Sequence, residues 1–301
     1  MRTEAGERPV ITVEAKAKIN LALSVGPPME SGMHPIASWM ARVDLADDLT
    51  LTRLDEGDLS RYAILWHDEA LRKTDIDWSI TKDLAVRTHL ALQEEVGREL
   101  PVQMKLEKRI PVGGGLGGGS ADAAAMLRAL DGLFGLGVDD ETMVRIAISL
   151  GSDVAYCLGD APAVVEGLGD EIVRTPGVAG DVLLLVPGFG CATGAVYGAY
   201  DEAPVELRSS EVHAMASSGV VESGALFNDL AAPAMRVAPA LRALVDGANA
   251  LAPDGLRVHV TGSGSTCFAY TPPGESGGLF ALADALEDQC DDVRAVVCSL
   301  S

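Results

Sequence analysis

Basic residues are scarce in this chain. Lysine and arginine number 23 against 44 aspartates and glutamates, a net charge of −21 over 301 residues. A phosphate backbone needs a basic face, so no nucleic-acid partner is expected. Aromatic residues make up only 4% of a sequence that is 48% hydrophobic, which leaves the core to Ala, Val, Leu and Ile. No stretch approaches the roughly 18 consecutive apolar residues of a membrane span. The opening segment MRTEAGERPV lacks the apolar centre of a signal peptide. The expectation is a soluble, cytoplasmic protein without a membrane partner. Cysteines stand at 157, 191, 267, 290 and 298, odd in number, scattered and without a CxxC pair. That pattern argues for reduced, mostly buried thiols and against a zinc site or a disulfide framework. The five histidines show neither HExxH nor HxH spacing, so no metal-ligating set is expected from them.

The length suffices for one large or two ordinary domains. Residues 10–25 alternate and read as one or two strands. In the later part Ala17, Ile19, Leu21 and Leu23 should share one face, and Lys18, Asn20 and Ala22 the other. A helix is expected from about Lys82 to Glu99 with Thr81 as its cap, then a strand through Val102, Met104 and Leu106. A helical stripe of Ala123, Met126, Leu127, Leu130 and Phe134 should end near Gly135. Asp139 should cap the next helix, which stops at Gly151, and GSDVAYCL should open a short one. Composition shifts at about 160–180 toward Gly, Asp and Pro, which sets the expected domain boundary at 165/166. Beyond it, strands at 182–187, 257–261, 266–271 and 293–298 alternate with helical patterns near 205–217, 237–251 and 276–289. This mixture implies an α+β fold rather than a doubly wound sheet.

The densest feature is IPVGGGLGGGSADAAA, residues 110–125, with six glycines among the seven residues 113–119. Glycine costs backbone entropy, so such a run needs a use. Two familiar patterns nearly fit. Gly113, Gly115 and Gly118 satisfy GxGxxG, but a run this dense matches almost automatically, and a dinucleotide fold wants the motif early in a βαβ unit. Residues 113–120 resemble GxxxxGK[ST], but Gly119 occupies the lysine position. The shared physics remains. A loop without side chains lets backbone N–H groups converge, and the helix that follows adds its dipole, so the expected tenant is an anion such as polyphosphate. A second cluster, Gly262, Ser263, Gly264, Ser265 and Thr266, reads as a hairpin turn. It could also close with the first loop over phosphate or hydroxyl groups.

Three stretches stand in order: AKAKINLAL (15–23), PVGGGLGGGSADAA (111–124) and VTGSGSTCFA (260–269). Together they resemble the three motifs of the GHMP small-molecule kinases. GMH (32–34), GSDVAYCL (151–158), VPGFGCATGAVY (186–197) and FNDL (227–230) extend the likeness over most of the chain. The double glycine triplet points within that family to the branch that phosphorylates a polyol carrying a cytidine diphosphate group, in the non-mevalonate isoprenoid pathway. The resemblance implies a two-domain GHMP kinase fold with the active site in the cleft between domains, an N-terminal ATP-binding domain (1–165) and a C-terminal substrate-side domain (166–301). It implies ATP and Mg²⁺ as cofactors, with Ser120 as the one suggested metal contact. Oligomeric state stays open.

Carried over by position, Lys18 and Asp153 match the catalytic pair. Asp153 would take the proton of the attacking hydroxyl, and Lys18 would assist. Pro111, Gly113, Gly114, Gly115, Leu116, Gly117, Gly118, Gly119 and Ser120 match the ATP-phosphate loop. Asn20, His34, Thr193, Tyr197, Gly262, Ser263 and Gly264 match substrate contacts, with His34 matching a residue that hydrogen-bonds the cytosine and Tyr197 an aromatic that stacks on the same base. Two positions depart from the family. Met33 stands where an aromatic usually precedes the histidine, and methionine grips a base face less rigidly. Asp83 stands at the place of an adenine-side asparagine. Read without the family, Asp153 is equally a helix cap and Lys18 a surface lysine. The competing functions are another GHMP kinase (homoserine, mevalonate or sugar), a non-catalytic ligand-binding relative, and a dinucleotide oxidoreductase.

Overall fold

The computed structural model describes residues 8–287, 289–290 and 292–301. In chain order the elements are β1 (Val10–Val25), β2 (Ile36–Arg53), β3 (Arg61–Trp66), α1 (Leu84–Val96), β4 (Val102–Lys108), α2 (Gly118–Phe134), α3 (Asp140–Leu150), α4 (Ser152–Cys157), β5 (Ala163–Gly167) and β6 (Glu171–Arg174). They continue with β7 (Asp181–Pro187), α5 (Thr193–Tyr200), α6 (Ser209–Ser217), β8 (Phe227–Asn228), α7 (Ala231–Val237), α8 (Pro239–Leu251), β9 (Val258–Val260), β10 (Cys267–Thr271), α9 (Gly277–Glu287) and β11 (Val293–Ser299). The first sheet runs β3-β4-β2-β1-β8, with the β5–β6 hairpin also on β2; the second runs β11-β7-β10-β9. Most pairings are antiparallel, so the fold is α+β.

The molecule is layered helix, sheet, sheet, helix. One face of the first sheet packs on α1 to α4 through Leu49, Leu51, Met104 and Leu106. Its other face meets the second sheet through Ala17, Ile19, Trp39, Val182, Leu184 and Phe268. The second sheet's far face carries α5, α7, α8 and α9 on Leu183, Leu185, Val258 and Cys267. With few aromatics available, α2 is lined by fully buried Ala121, Ala123, Ala124, Ala125 and Ala129, which let it approach the sheet closely. Four of the five free thiols are buried.

Helix ends follow local chemistry. The Asp83 carboxylate accepts from the amides of Ala85 and Val86, so Asp83 rather than Thr81 caps α1, and Gly97 closes it in the left-handed region at φ 64°. Asp139 caps α3 through the Thr142 amide. The alternation read for β1 fails in its second half. The register with β2 slips between Lys16 and Lys18 and again between Asn20 and Ala22. These bulges turn Ala22 into the inter-sheet core and Leu23 toward the cavity that Lys18 and Asn20 line. The chain leaves the first sheet only after Arg174, because β5 and β6 pair with β2 and with each other. Position 165 lies inside β5. Two later segments return to the first sheet: β8 pairs in parallel with β1, and Leu300 bridges Val43.

His259, on β9, faces Phe268 at 5.5 Å between rings, and its Nε2 has no partner. Burial pushes its pKa down to about 4, against a bond to the Ser223 backbone. An unfolded chain takes up this proton near 6.5, so the stability held by the neutral ring is complete above about pH 6.5 and is lost as pH falls toward 4, at about 1.4 kcal/mol per pH unit. His259→Gln should therefore gain stability relative to the parent between pH 6.5 and 4. Urea unfolding of both proteins at pH 7 and pH 5 checks this, and a difference independent of pH would contradict it.

Candidate active site

The glycine loop links β4 to α2 and lies across β1. The Lys18 amide donates to the Leu116 carbonyl at 2.9 Å, and the Thr266 amide donates to the Gly114 carbonyl at 3.2 Å. Leu116 plugs its side chain into the inter-sheet core at 1% exposure. Several glycines answer to the protein's own neighbours. A Cβ on Gly115 (φ 81°) would sit 2.7 Å from the Thr261 carbonyl oxygen, and one on Gly117 (φ 69°) 3.0 Å from the Lys18 stem. Gly114 and Gly118 are crowded by Thr266 Oγ1 and Ile110. At Gly113 the space is open, and at Gly119 only Leu84 approaches.

The outer side of this loop, residues 110–120, lines a cavity of about 560 Å³, closed from the opposite side by Trp78, Lys82, Asp83 and Leu84. All the residues expected of the phosphate loop, from Pro111 to Ser120, lie on this wall. The first amides of the 17-residue α2 open here, which makes the cavity a site for an anion.

At the back of it Lys108 Nζ lies 2.6 Å from Asp47 Oδ2 and 2.5 Å from Asp122 Oδ2, all three residues buried. Asp47 also takes the amides of Arg109 (2.5 Å) and Ile110 (2.7 Å), which fixes the entry to the loop. Two carboxylates share one ammonium. Burial, with Asp47 adding to it against the pull of Lys108, pushes Asp122 up to about 8, while the two carboxylates hold Lys108 charged.

A second cavity of about 220 Å³ adjoins the first and shares Gly115, Gly117 and Thr193 with it. Its floor carries Lys18 and Asp153, with Nζ 3.3 Å from Oδ2. The lysine side chain is 5% exposed and the aspartate 26%. Asp153 sits in the first turn of α4 but makes no capping bond, so its carboxylate is free for the cavity. Asn20 Oδ1 accepts from Lys18 Nζ at 2.9 Å and from Thr261 Oγ1 at 3.3 Å, while its Nδ2 donates to Ser38. Thr193 and Ser263 hydroxyls meet at 3.0 Å on the rim. Tyr197 lines the wall, and burial, reinforced by the Asp153 charge, pushes its hydroxyl up to about 12, so it stays protonated.

The structure thus brings Lys18, Asp153, Asn20, Thr193, Tyr197, Gly262 and Ser263 to one cavity and the glycine loop to its neighbour. Two residues stand apart from this group. Gly264 is not among the residues that line either cavity, and a Cβ on it would meet Leu241 and Cys191 of the far core. His34, expected to hydrogen-bond the cytosine, sits beside Tyr197 with ring centroids 4.9 Å apart. His34 Nε2 instead lies 2.7 Å from Asp201 Oδ1, and the adjacent Met33 is 52% exposed. Trp78 and Lys108 in the first cavity, and Ile36 and Met40 in the second, had no sequence signal. They come together only through the fold.

Residues 83–167 match the family described as GHMP kinases N terminal domain. A 4-diphosphocytidyl-2-C-methyl-D-erythritol kinase of Mesorhizobium japonicum is 34% identical, with 98% of this chain and 94% of that protein covered. The protein of the same name from Caulobacter vibrioides is 33% identical, covering 95% and 98%. Among solved structures, a 4-(cytidine 5'-diphospho)-2C-methyl-D-erythritol kinase superposes with a TM-score of 0.75 at 29% identity, over 97% of this chain and 99% of that one. A mevalonate kinase of L. major, at 13% identity, shares the fold with a TM-score of 0.70 over 100% and 99% of the two chains.

The glycines of the loop should separate by experiment. Gly117→Ala must place a Cβ in the left-handed region and against the Lys18 stem, and should cost about 1–2 kcal/mol. Gly119→Ala, inside α2 with room beside it, should hold stability or raise it by up to about 1 kcal/mol. Urea titrations decide, and equal losses in both variants would contradict this division of the loop.

Proposed function

The chain belongs to the 4-diphosphocytidyl-2-C-methyl-D-erythritol kinases, within the GHMP kinases, and we propose that it phosphorylates the 2-hydroxyl of 4-diphosphocytidyl-2-C-methyl-D-erythritol with ATP, in the non-mevalonate route to isoprenoids. The observation that carries the mechanism is the Lys18–Asp153 pair at 3.3 Å, in a cavity whose wall is also the glycine loop. ATP occupies the larger cavity with its phosphates on the loop amides from Gly113 to Ser120. The acceptor occupies the smaller one. Gly115 and Gly117, common to both, are where the outer phosphate meets the hydroxyl.

Phosphoryl transfer is largely a matter of position and charge. Asp153 accepts the proton from the attacking hydroxyl. Lys18, held between Asp153 and Asn20, neutralises charge that builds on the transferred group. Asn20 aims the lysine, since its carbonyl oxygen and one amide hydrogen are already used within the protein. Among the described residues no group of three His, Cys, Asp or Glu could hold a metal ion. Mg²⁺ would come to this site bound to the triphosphate. Ser120, on the cavity wall, is the side chain to meet it, and the ion neutralises phosphate charge when bound.

Tyr197 offers its ring to the cytosine. His34, in contact with that ring and with Asp201, supports it from the side. Such a stack is worth about 1 kcal/mol or more. The exposed Met33 can fold over the outer face of the base without the rigidity of an aromatic.

A panel of acceptors with ATP tests the substrate. Phosphate should pass to the cytidyl-erythritol compound, and transfer to homoserine or mevalonate with none to that compound would reject the assignment. Asp153→Asn should lower kcat by about a hundredfold or more while ATP affinity stays within about twofold. Comparable loss of both would make Asp153 a structural residue.

A further inference from the structure

The carboxylate that this reading makes the proton acceptor rides on an unusually weak support. α4 has six residues, and no side chain caps its first turn. A helix that short does not hold itself together in water. Its other end is held by arginines. Arg128 Nη1 donates to the carbonyls of Cys157 and Leu158, both at 2.9 Å. Arg174 donates through Nη2 to Tyr156 O at 3.1 Å and through Nη1 to Ala161 O at 2.7 Å. Arg42, 1% exposed, reaches Cys157 O from a third direction at 3.5 Å. The ring of Tyr156 lies between two of the guanidiniums, 5.9 Å from Arg42 and 5.3 Å from Arg174.

These contacts answer a general need. The last carbonyls of a helix are unpaired, and its C-terminus carries partial negative charge that cations satisfy. One cation would suffice for that. Three buried or half-buried ones repel each other: burial first, and then the Arg42 charge, lower the pKa of Arg128. Arg42 makes the weakest bond, and its Nε and Nη1 have no partner. Such crowding calls for a reason beyond capping.

The reason lies in where the arginines come from. Arg128 is on α2, the helix that begins at the glycine loop. Arg42 is on β2, directly opposite Lys18 in the register of β1 with β2. Arg174 ends β6, of the hairpin that pairs with β2. The helix that follows the glycine loop, and the strand paired with the lysine's own strand, are therefore bonded to the helix that carries the carboxylate.

We propose that Arg128 and Arg174, with Arg42 beside them, are positioning residues for phosphoryl transfer: by gripping the C-terminal carbonyls of α4 they hold Asp153 in register with Lys18 and the glycine loop. The inference rests on the catalytic role of Asp153. A displacement of the order of 1 Å at a reacting group can cost about a hundredfold in rate, so loosening the grip should be visible in kcat.

Arg128→Gln and Arg174→Gln should each lower kcat at least tenfold while KM for ATP stays within twofold. Arg128→Lys, which keeps the cation and one donor, should recover part of the loss. The decisive measurement adds Arg128→Gln to Asp153→Asn. If the arginine acts through Asp153, the double variant should be no slower than Asp153→Asn alone. Multiplied losses would overturn the proposal. So would a variant that melts earlier but turns over normally at low temperature, or one in which KM for ATP rises in step with the fall in kcat. Should Arg128→Gln fail to fold, Arg128→Lys and Arg174→Lys carry the same comparison. Full turnover in Asp153→Asn by itself would refute the catalytic reading of the cleft, and the proposal would fall with it; normal turnover in the arginine variants beside a slow Asp153→Asn would refute the proposal alone.

Discussion

The amide of Lys18 donates to the carbonyl of Leu116, and the lysine stem runs under Gly117 with no room for a side chain between them. This contact presses the glycine loop onto β1 of the first sheet. The rest of the site follows from it. Leu116 is driven into the core, the Thr261–Thr266 turn docks on Gly114 and Gly115, and the two cavities come to share a wall. The lysine whose backbone carries the loop also places its ammonium beside Asp153. Loop position and amine position are thus one variable. Part of the glycine run exists to permit this internal contact, and only part to admit a ligand.

The protein is strongly acidic, yet its site must hold nucleotides that are themselves anions. Local geometry resolves the conflict. The first cavity gathers the amides at the start of α2 together with Lys82, and the second holds Lys18 in near-complete burial. In a water-poor cleft such groups act with less screening than the exposed carboxylates outside it. The Asp47–Lys108–Asp122 cluster orients the loop's entry strand and leaves little net charge of its own.

Local signals made much of this legible. The glycine triplets, the Gly135 stop, the Asp139 cap and the short helix at GSDVAYCL could be read directly, because each depends on residues within a few positions. The two-domain architecture came from resemblance. What escaped reading depends on long-range events. Lys108 meets Asp47 from 61 positions away, and nothing near either residue announces it. Leu23 was assigned to the wrong face because a bulge after Asn20 shifts a period-two pattern by one residue. Thr81 lost the cap to Asp83, whose carboxylate also accepts from Trp78.

The bulged strand β1 has a consequence for how the molecule comes apart. Ala17, Ile19 and Leu21 belong to the core between the sheets, whereas Leu23 and Val25 belong to the core beneath the far helices. One continuous segment is therefore shared by both halves, and β8 and Leu300 return from the second half to bond the first. Neither half can melt and leave the other's interior intact. Heat should accordingly dissolve the protein in a single cooperative step, with calorimetric and van't Hoff enthalpies in agreement, although the architecture counts as two domains.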